Sequence, residues 1–127
     1  MHYLSSWLKA FWPAPLPASL RERMLGGIGA FIGLLVTEIV SRYMLGISVP
    51  WFVAPMGASS VLLFAVPASP LAQPWSIVGG NFVSALVGIG CAHWIPDPAL
   101  AATLAVGLAI IAMFQLRCLH PPGGAMA

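Results

Sequence analysis

The sequence predicts an all-α bundle of transmembrane helices in which some helices are short or broken. Of the 127 residues, 60% are apolar and only 6% carry a charge. A water-facing surface usually needs about a quarter of its residues charged, so most of this chain is expected to lie in lipid. Four apolar stretches are separated by connections rich in turn-forming residues. Together these observations predict a polytopic membrane protein.

The first 23 residues are predicted to lie at the membrane interface. Apolar residues recur at helical spacing between positions 4 and 12, and Trp7 and Trp12 are among them. Such a tryptophan-bearing stripe suits the headgroup region of a bilayer. Prolines at positions 13, 15 and 17 end that helix, and a charged collar at positions 21–23 follows. We therefore divide the chain into an interfacial segment, residues 1–23, and a transmembrane domain, residues 24–127.

About four spans are expected in the transmembrane domain. The apolar stretches run from about Met24 to Leu45, from Trp51 to Val66, from about Ser76 to Ile95 and from about Ala99 to Leu119. At 1.5 Å per residue, about 20 residues cross the hydrocarbon core. The second stretch has only sixteen residues and contains Pro55 and Gly57. Because neither residue suits a long unbroken span, we expect this stretch to be short or interrupted.

The run LRCLHPPGGAMA at residues 116–127 cannot continue the fourth helix. Pro121 disfavours a helical conformation at His120, and prolines cannot donate a backbone hydrogen bond, so the helix is predicted to stop near Leu119. Because proline suits the first turn of a helix, PPGGAMA is predicted to open a fifth helix. That helix is incomplete at Ala127, so we expect the chain to be a fragment.

The predicted start of the fifth helix is a candidate anion site. Free backbone amides at a helix start, from about Gly123 to Ala125, attract negative charge together with the helix dipole. Arg117 and His120 lie just before these amides and add donors or charge. We therefore expect Arg117, His120, Gly123 and Gly124 to bind an anion.

Two segments share the pattern Pro-x-Gly-Ala. APMGASS at residues 54–60 and PPGGAMA at residues 121–127 both contain it. Three predicted crossings separate the two starts, so the second copy enters the membrane from the opposite face. Helix starts that enter from opposite faces are typical of inverted repeats, in which they converge on a substrate. The chain is then one half of such a repeat, or the two proline–glycine starts are similar by chance.

The two motifs also carry a family resemblance. APMGASSVLLFAVPASPLAQPWSIVGGN, followed about forty residues later by LRCLHPPGGA, resembles the HPP family of integral membrane proteins, and the resemblance covers residues 24–127. It implies a small helical membrane domain, often followed by further helices and sometimes by soluble CBS domains. Relatives in chloroplasts and cyanobacteria are associated with nitrite transport, which implies a small anion as substrate.

Five further polar residues are candidates for a functional role. Glu38 and Arg42 are four positions apart, in the order that favours a helical ion pair. Because charges within a span are costly, the pair either neutralises itself or takes part in proton coupling. Ser59 and Ser60 lie in the first turn after Pro55, where hydroxyls cap amides or meet a ligand. Asn81 either bonds a neighbouring helix or lines a path.

The candidate substrate-binding residues are therefore Pro55, Gly57, Ser59, Ser60, Asn81, Arg117, His120, Gly123 and Gly124, and the candidate pair for coupling is Glu38 and Arg42. The sequence has no G-x-S-x-G, H-E-x-x-H or phosphate-loop motif and no carboxylate pair. Cys91 and Cys118 form no C-x-x-C motif and have no clustered histidines beside them, so they suggest neither a metal site nor a disulfide framework. We expect no enzyme activity, no cofactor and no metal, and the small net charge of +2 implies no nucleic-acid partner.

The leading hypothesis is a multi-pass transport protein for a small anion, nitrite-like by the resemblance. We expect it in a bacterial inner membrane, embedded in the lipid bilayer as a homo-oligomer. The alternative is a membrane-embedded sensor or assembly module that is coupled to a soluble domain outside this chain.

The distribution of positive charge predicts that the N-terminus faces the cytoplasm. Placing Lys9, Arg21, Arg23 and Arg117 inside leaves Arg42 as the only positively charged Lys or Arg outside, and the positive-inside rule favours this orientation. An epitope tag before residue 1 should be inaccessible from outside intact cells, whereas a tag beside Asp97 should be accessible. A tag at residue 1 that is labelled from outside would reverse the orientation.

Overall fold

The computed structural model describes residues 18–48 and 53–127. The α-helices are α1 (Leu20–Leu45), α2 (Val53–Ala65), α3 (Pro74–Trp94) and α4 (Pro98–Gln115), and two 3₁₀ helices span Pro70–Ala72 and Pro121–Met126. These ranges contain no β-strand, so the prediction of an all-α fold is confirmed. The predicted interfacial helix and the prolines that end it lie outside the described residues.

Helix α1 begins four residues earlier than predicted because it has a capping box. The Ser19 amide donates to Glu22 Oε2 at 2.7 Å, and the Glu22 amide donates to Ser19 Oγ at 3.2 Å. These bonds satisfy amides that have no partner within the helix. The charged residues at positions 21–23 are therefore the first turn of α1 rather than a collar before it. At the other end, Gly46 adopts a left-handed conformation with φ 70° and its amide donates to the Arg42 carbonyl.

Three described helices, α1, α3 and α4, are long and apolar enough to cross a membrane. Helix α2 has 13 residues, which corresponds to about 20 Å and is shorter than the hydrocarbon core. The prediction that the second stretch is short is confirmed, whereas the prediction of about four spans stays a prediction beside three long helices and one short one. Pro55 lies in the first turn of α2, where a missing amide leaves no helical bond unmade.

Helices α3 and α4 form a close antiparallel hairpin. Trp75 near the start of α3 donates its indole N–H to the carbonyl of Leu116, just after α4, at 3.1 Å, whereas Cys91 near the end of α3 packs against Ala101. On α4 the buried side chains recur every four residues, at Ala101, Ala105, Ala109 and Met113. On α3, Gly80 lies beside Met113, and Cys91 packs against Ala101 and Ala105. Such small residues let membrane helices approach closely.

Helices α1 and α2 are also antiparallel, and their contact depends on glycines. A Cβ at Gly26 would lie 3.2 Å from the Phe64 carbonyl oxygen, and a Cβ at Gly29 would lie 2.8 Å from the Phe64 ring. At the opposite end of this pair, Leu45 and Val53 line one groove. Within the described part of the chain, no residue of α1 is buried, so most of its apolar surface is available to lipid.

The C-terminal 3₁₀ helix turns back into the bundle beside α3. His120 lies against Gly80, and Ala127 lies against Gly88, so this segment runs in the same direction as α3. Gly123 packs on the Gly80 backbone, where a Cβ would lie 3.2 Å from the Gly80 carbonyl oxygen. The predicted fifth α-helix is therefore a 3₁₀ helix, although its start at Pro121 is where the sequence placed it.

We expect Gly80→Ala to destabilise the bundle because a Cβ there would lie 2.6 Å from His120 Cβ and 2.8 Å from the Cys118 carbonyl oxygen. Such overpacking costs about 1–3 kcal/mol of unfolding free energy. Gly90→Ala is a matched control in the same helix, because no atom lies within 4 Å of its added Cβ; it should stabilise by up to about 1 kcal/mol. Thermal unfolding in detergent measures both variants, and equal stabilities would contradict this account of the packing.

Candidate functional site

Helix α4 ends at Gln115, four residues before the predicted end, in a Schellman motif. The Arg117 amide donates to the Phe114 carbonyl at 3.2 Å, and the Cys118 amide donates to the Met113 carbonyl at 3.0 Å. These two bonds define the motif and require a left-handed residue between them. Arg117 is that residue, with φ 54°.

Arg117 occupies a position where glycine is the usual residue. An L-residue in the left-handed region costs about 1–2 kcal/mol, and α1 ends in the same conformation with Gly46. The Arg117 side chain is exposed at the end of α4. Because the fold accepts a strained arginine here, its positive charge is a candidate for a functional role.

His120 is completely buried, and both of its ring nitrogens are hydrogen-bonded. Nδ1 lies 2.9 Å from the Leu71 carbonyl oxygen, and Nε2 lies 2.8 Å from Ser59 Oγ. A carbonyl oxygen only accepts, so Nδ1 carries a hydrogen. In the neutral ring Nε2 is then an acceptor, and the Ser59 hydroxyl donates to it. This tautomer follows from the partners rather than from the position of a hydrogen.

The bonds of His120 join three separate elements. Ser59 belongs to α2, Leu71 belongs to the first 3₁₀ helix, and His120 itself precedes the C-terminal 3₁₀ helix. The prediction that His120 is exposed at the chain break is therefore wrong, whereas its role in binding an anion stays a prediction. His120 is 0% exposed, whereas Arg117 is exposed.

The glycines of the closing run differ in their surroundings. Gly123 is buried, and its amide donates to the His120 carbonyl at 2.8 Å. The prediction that the Gly123 amide is free is therefore wrong, because the 3₁₀ turn uses it. Gly124 is half-buried, with open space where a Cβ would be. Half-buried Asn81 adjoins Gly123, and its side chain makes no hydrogen bond to another described residue, so both of its expected roles stay predictions.

The candidates on α2 also divide into two groups. Pro55 is buried, Gly57 has open space at its missing Cβ, and the Ser60 hydroxyl donates to the Met56 carbonyl within the helix at 2.9 Å. Ser59 differs because its hydroxyl bonds another segment of the chain. The structure thus brings Ser59, Asn81, His120 and Gly123 together and leaves Ser60 bonded inside α2.

Glu38 and Arg42 form the ion pair that their spacing predicted. Arg42 Nε lies 2.7 Å from Glu38 Oε1, and the Ser48 hydroxyl donates to the same oxygen at 2.5 Å. The pair lies toward the end of α1, and Glu38 lines a groove together with Val53 and Met56. No hydrogen bond or ion pair among the described residues joins either side chain to His120. Self-neutralisation accounts for this geometry, and a role in proton coupling stays a prediction.

The two Pro-x-Gly-Ala segments meet inside the bundle. Ser59 lies six residues before the end of α2, Gly80 lies six residues after the start of α3, and His120 contacts both. The C-terminal 3₁₀ helix runs in the direction of α3. Entry from opposite faces of the membrane stays a prediction, and the Ser59–His120 bond joins the two segments.

Ser59 and His120 have the hydrogen bond of a serine and its general base. In a catalytic triad, a carboxylate orients the histidine and stabilises its charged form. Here the Leu71 carbonyl fixes the tautomer but brings no negative charge. The arrangement positions a hydroxyl and holds a protonatable nitrogen inside the bundle.

Comparison with known proteins assigns the family. The chain matches the family described as HPP, transmembrane region, over residues 15–127. The chain belongs to the HPP transmembrane family. Two transmembrane proteins of Dictyostelium discoideum are each 36% identical to the whole chain, over 132 and 135 residues. No solved structure matches it.

The HPP chain spans less than half the length of these two relatives, 42% of one and 47% of the other. Both relatives are membrane proteins, which agrees with the predicted multi-pass membrane location. They come from a eukaryote, so the bacterial inner membrane and the cytoplasmic N-terminus stay predictions.

We expect His120→Ala to destabilise the protein because the buried Leu71 carbonyl loses its donor and Ser59 loses its acceptor. A buried polar group left without a partner costs about 1–3 kcal/mol of unfolding free energy. His93→Ala is the control, since His93 is exposed and packs edge-on against Trp94; its effect should stay within about 0.5 kcal/mol. Thermal unfolding in detergent measures the stability of both variants. A similarly small effect of both substitutions would contradict the conclusion that the His120 hydrogen bonds hold three elements together.

Proposed function

We propose that this HPP domain is part of a membrane transporter for a small anion, with nitrite as the first candidate. The observation that carries the proposal is the Ser59–His120 hydrogen bond, which joins the two proline–glycine segments inside the bundle. In transporters built from inverted repeats, interrupted helices of this kind form the substrate site near the midplane.

Polar groups collect where the two segments meet. Ser59, His120 and Asn81 lie close to the C-terminal 3₁₀ helix, in a bundle whose other packing surfaces are mainly apolar or small. Polar residues inside a membrane are costly and usually mark a pathway. Irregular backbone within the hydrocarbon region of a membrane is tolerated where it is buried in protein or lines a cavity.

The charges near this pathway favour an anion. Arg117 is exposed at the end of α4, where the chain turns back into the bundle. The acidic Glu38 lies on α1 and is already paired with Arg42 and Ser48. The exposed positive charge of Arg117 would raise the local concentration of anions and the rate at which they reach the protein.

The decisive experiment is uptake by vesicles that contain the full-length protein. Nitrite, nitrate and chloride are offered as separate anions, with rubidium as a cation control. Uptake of nitrite above protein-free vesicles supports the proposal. Absence of uptake for all three anions, by protein that is correctly inserted, would overturn it. That result would favour the alternative hypothesis of a sensor or assembly module. The relatives, which are more than twice as long as this chain, are consistent with that hypothesis.

We expect Arg117→Gly to separate stability from transport. Glycine relieves the left-handed strain, so the variant should gain about 1 kcal/mol of stability. Loss of the charge should slow nitrite uptake by roughly tenfold at low ionic strength, and less at high ionic strength. Arg117→Lys keeps both the charge and the strain and should retain most of the uptake. A more stable Arg117→Gly protein with unchanged uptake would exclude an electrostatic role for Arg117.

A further inference from the structure

His120 is the fully buried histidine of the described chain, and its surroundings point to a second ligand. Histidine is the side chain that ordinarily changes charge between about pH 5 and about pH 8. We propose that Ser59 and His120 form a proton-binding site, and that a proton bound there accompanies the transported anion. The coupling to transport rests on the function proposed above, whereas the proton site rests on geometry alone.

The neutral state has one arrangement of hydrogens. Nδ1–H donates to the Leu71 carbonyl, and the Ser59 hydroxyl donates to Nε2. The Leu71 bond occupies Nδ1 in every protonation state, so Nε2 is the atom that takes up a proton. Because His120 is 0% exposed and Ser59 is only half-buried, the proton reaches Nε2 through the Ser59 hydroxyl.

Proton uptake reverses the Ser59–His120 bond. One proton is added, the ring gains one positive charge, and Nε2–H then donates to Ser59 Oγ. The Ser59 hydrogen turns away and needs another acceptor. The carbonyl four residues earlier, that of Pro55, is suitably placed in the helix, and the neighbouring Ser60 hydroxyl already bonds the Met56 carbonyl in this way. An anion beside Ser59 is the other acceptor.

No negative group among the described residues balances the charged ring. Ser59 faces it from α2, the Leu71 carbonyl from the first 3₁₀ helix, Gly80 from α3, and Cys118 lies two residues before it. None of the described acidic residues makes a hydrogen bond or ion pair with His120. A buried charge without a partner is strongly disfavoured, so an anion that enters becomes its counterion.

This missing counterion couples the two ligands. The anion makes proton binding more favourable, and the bound proton makes anion binding more favourable by the same factor. The reoriented Ser59 hydroxyl adds a donor for the anion only after the ring is charged. The pair therefore favours joint movement of one proton with one anion.

The proton site is tested by NMR of full-length protein labelled with ¹⁵N-histidine. The chain has three histidines, so the His120 signals are identified by their loss in His120→Asn. At high pH, Nδ1 should be protonated and Nε2 should not; at low pH both should be protonated. Saturating nitrite should move this transition upward by about one pH unit, which equals a tenfold coupling. A His120 ring that keeps one tautomer from about pH 5 to about pH 8 would overturn the proposal.

Vesicle uptake tests the coupling. An acid outer solution should stimulate nitrite uptake roughly tenfold in the wild type, a coupling factor of the usual size for linked sites. Ser59→Ala and His120→Asn should lose this stimulation; asparagine retains a donor for the Leu71 carbonyl but takes up no proton. Thr37→Ala should keep the stimulation, because its hydroxyl bonds the Gly33 carbonyl within α1.

The two proposals fail in different ways. Nitrite uptake that ignores the pH gradient, together with a His120 ring that never binds a second proton, would overturn the proton site and leave transport standing. Absence of nitrite uptake, together with a His120 transition that nitrite still moves, would overturn transport and support the proton site.

Discussion

The arrangement of this domain depends on one buried imidazole. His120 donates to the Leu71 carbonyl and accepts from Ser59, and these bonds tie together a short helix, the loop after it and the segment that returns at the end of the chain. Each bond satisfies a polar group that would be costly to leave unpaired in a membrane. The geometry of the candidate site therefore follows from the need to satisfy both ring nitrogens.

The imidazole reaches this place because the backbones around it approach closely. Gly80 leaves room for His120 Cβ, and Gly123 rests directly on the Gly80 backbone. The Schellman motif at Arg117 then reverses the chain so that it re-enters the bundle. Small residues, a left-handed turn and a hydrogen-bonded histidine thus act together, and each is needed for the others.

Much of the fold was predictable from local signals. Prolines placed the short second helix and the start of the C-terminal segment. The capping box Ser19-Leu-Arg-Glu22 is a further local signal, and it marks the start of α1. The end of α4 was missed because an arginine in the left-handed conformation has no sequence signature. The Ser59–His120 contact was missed as well, since its partners are 61 positions apart and only tertiary packing brings them together. The glycine-rich helix start suggested an exposed anion site. In the structure, Gly123 is buried against α3 and its amide donates to the His120 carbonyl.

The returning segment also bears on how the protein is made. Both partners of His120 precede it in the chain, by 61 and 49 positions, so during synthesis the helices leave the ribosome before the residue that ties them together. Until then, Ser59 and the Leu71 carbonyl have to be satisfied by water, lipid headgroups or the insertion machinery. The bonds of His120 can therefore form only after the chain from Ser59 to His120 has been synthesised.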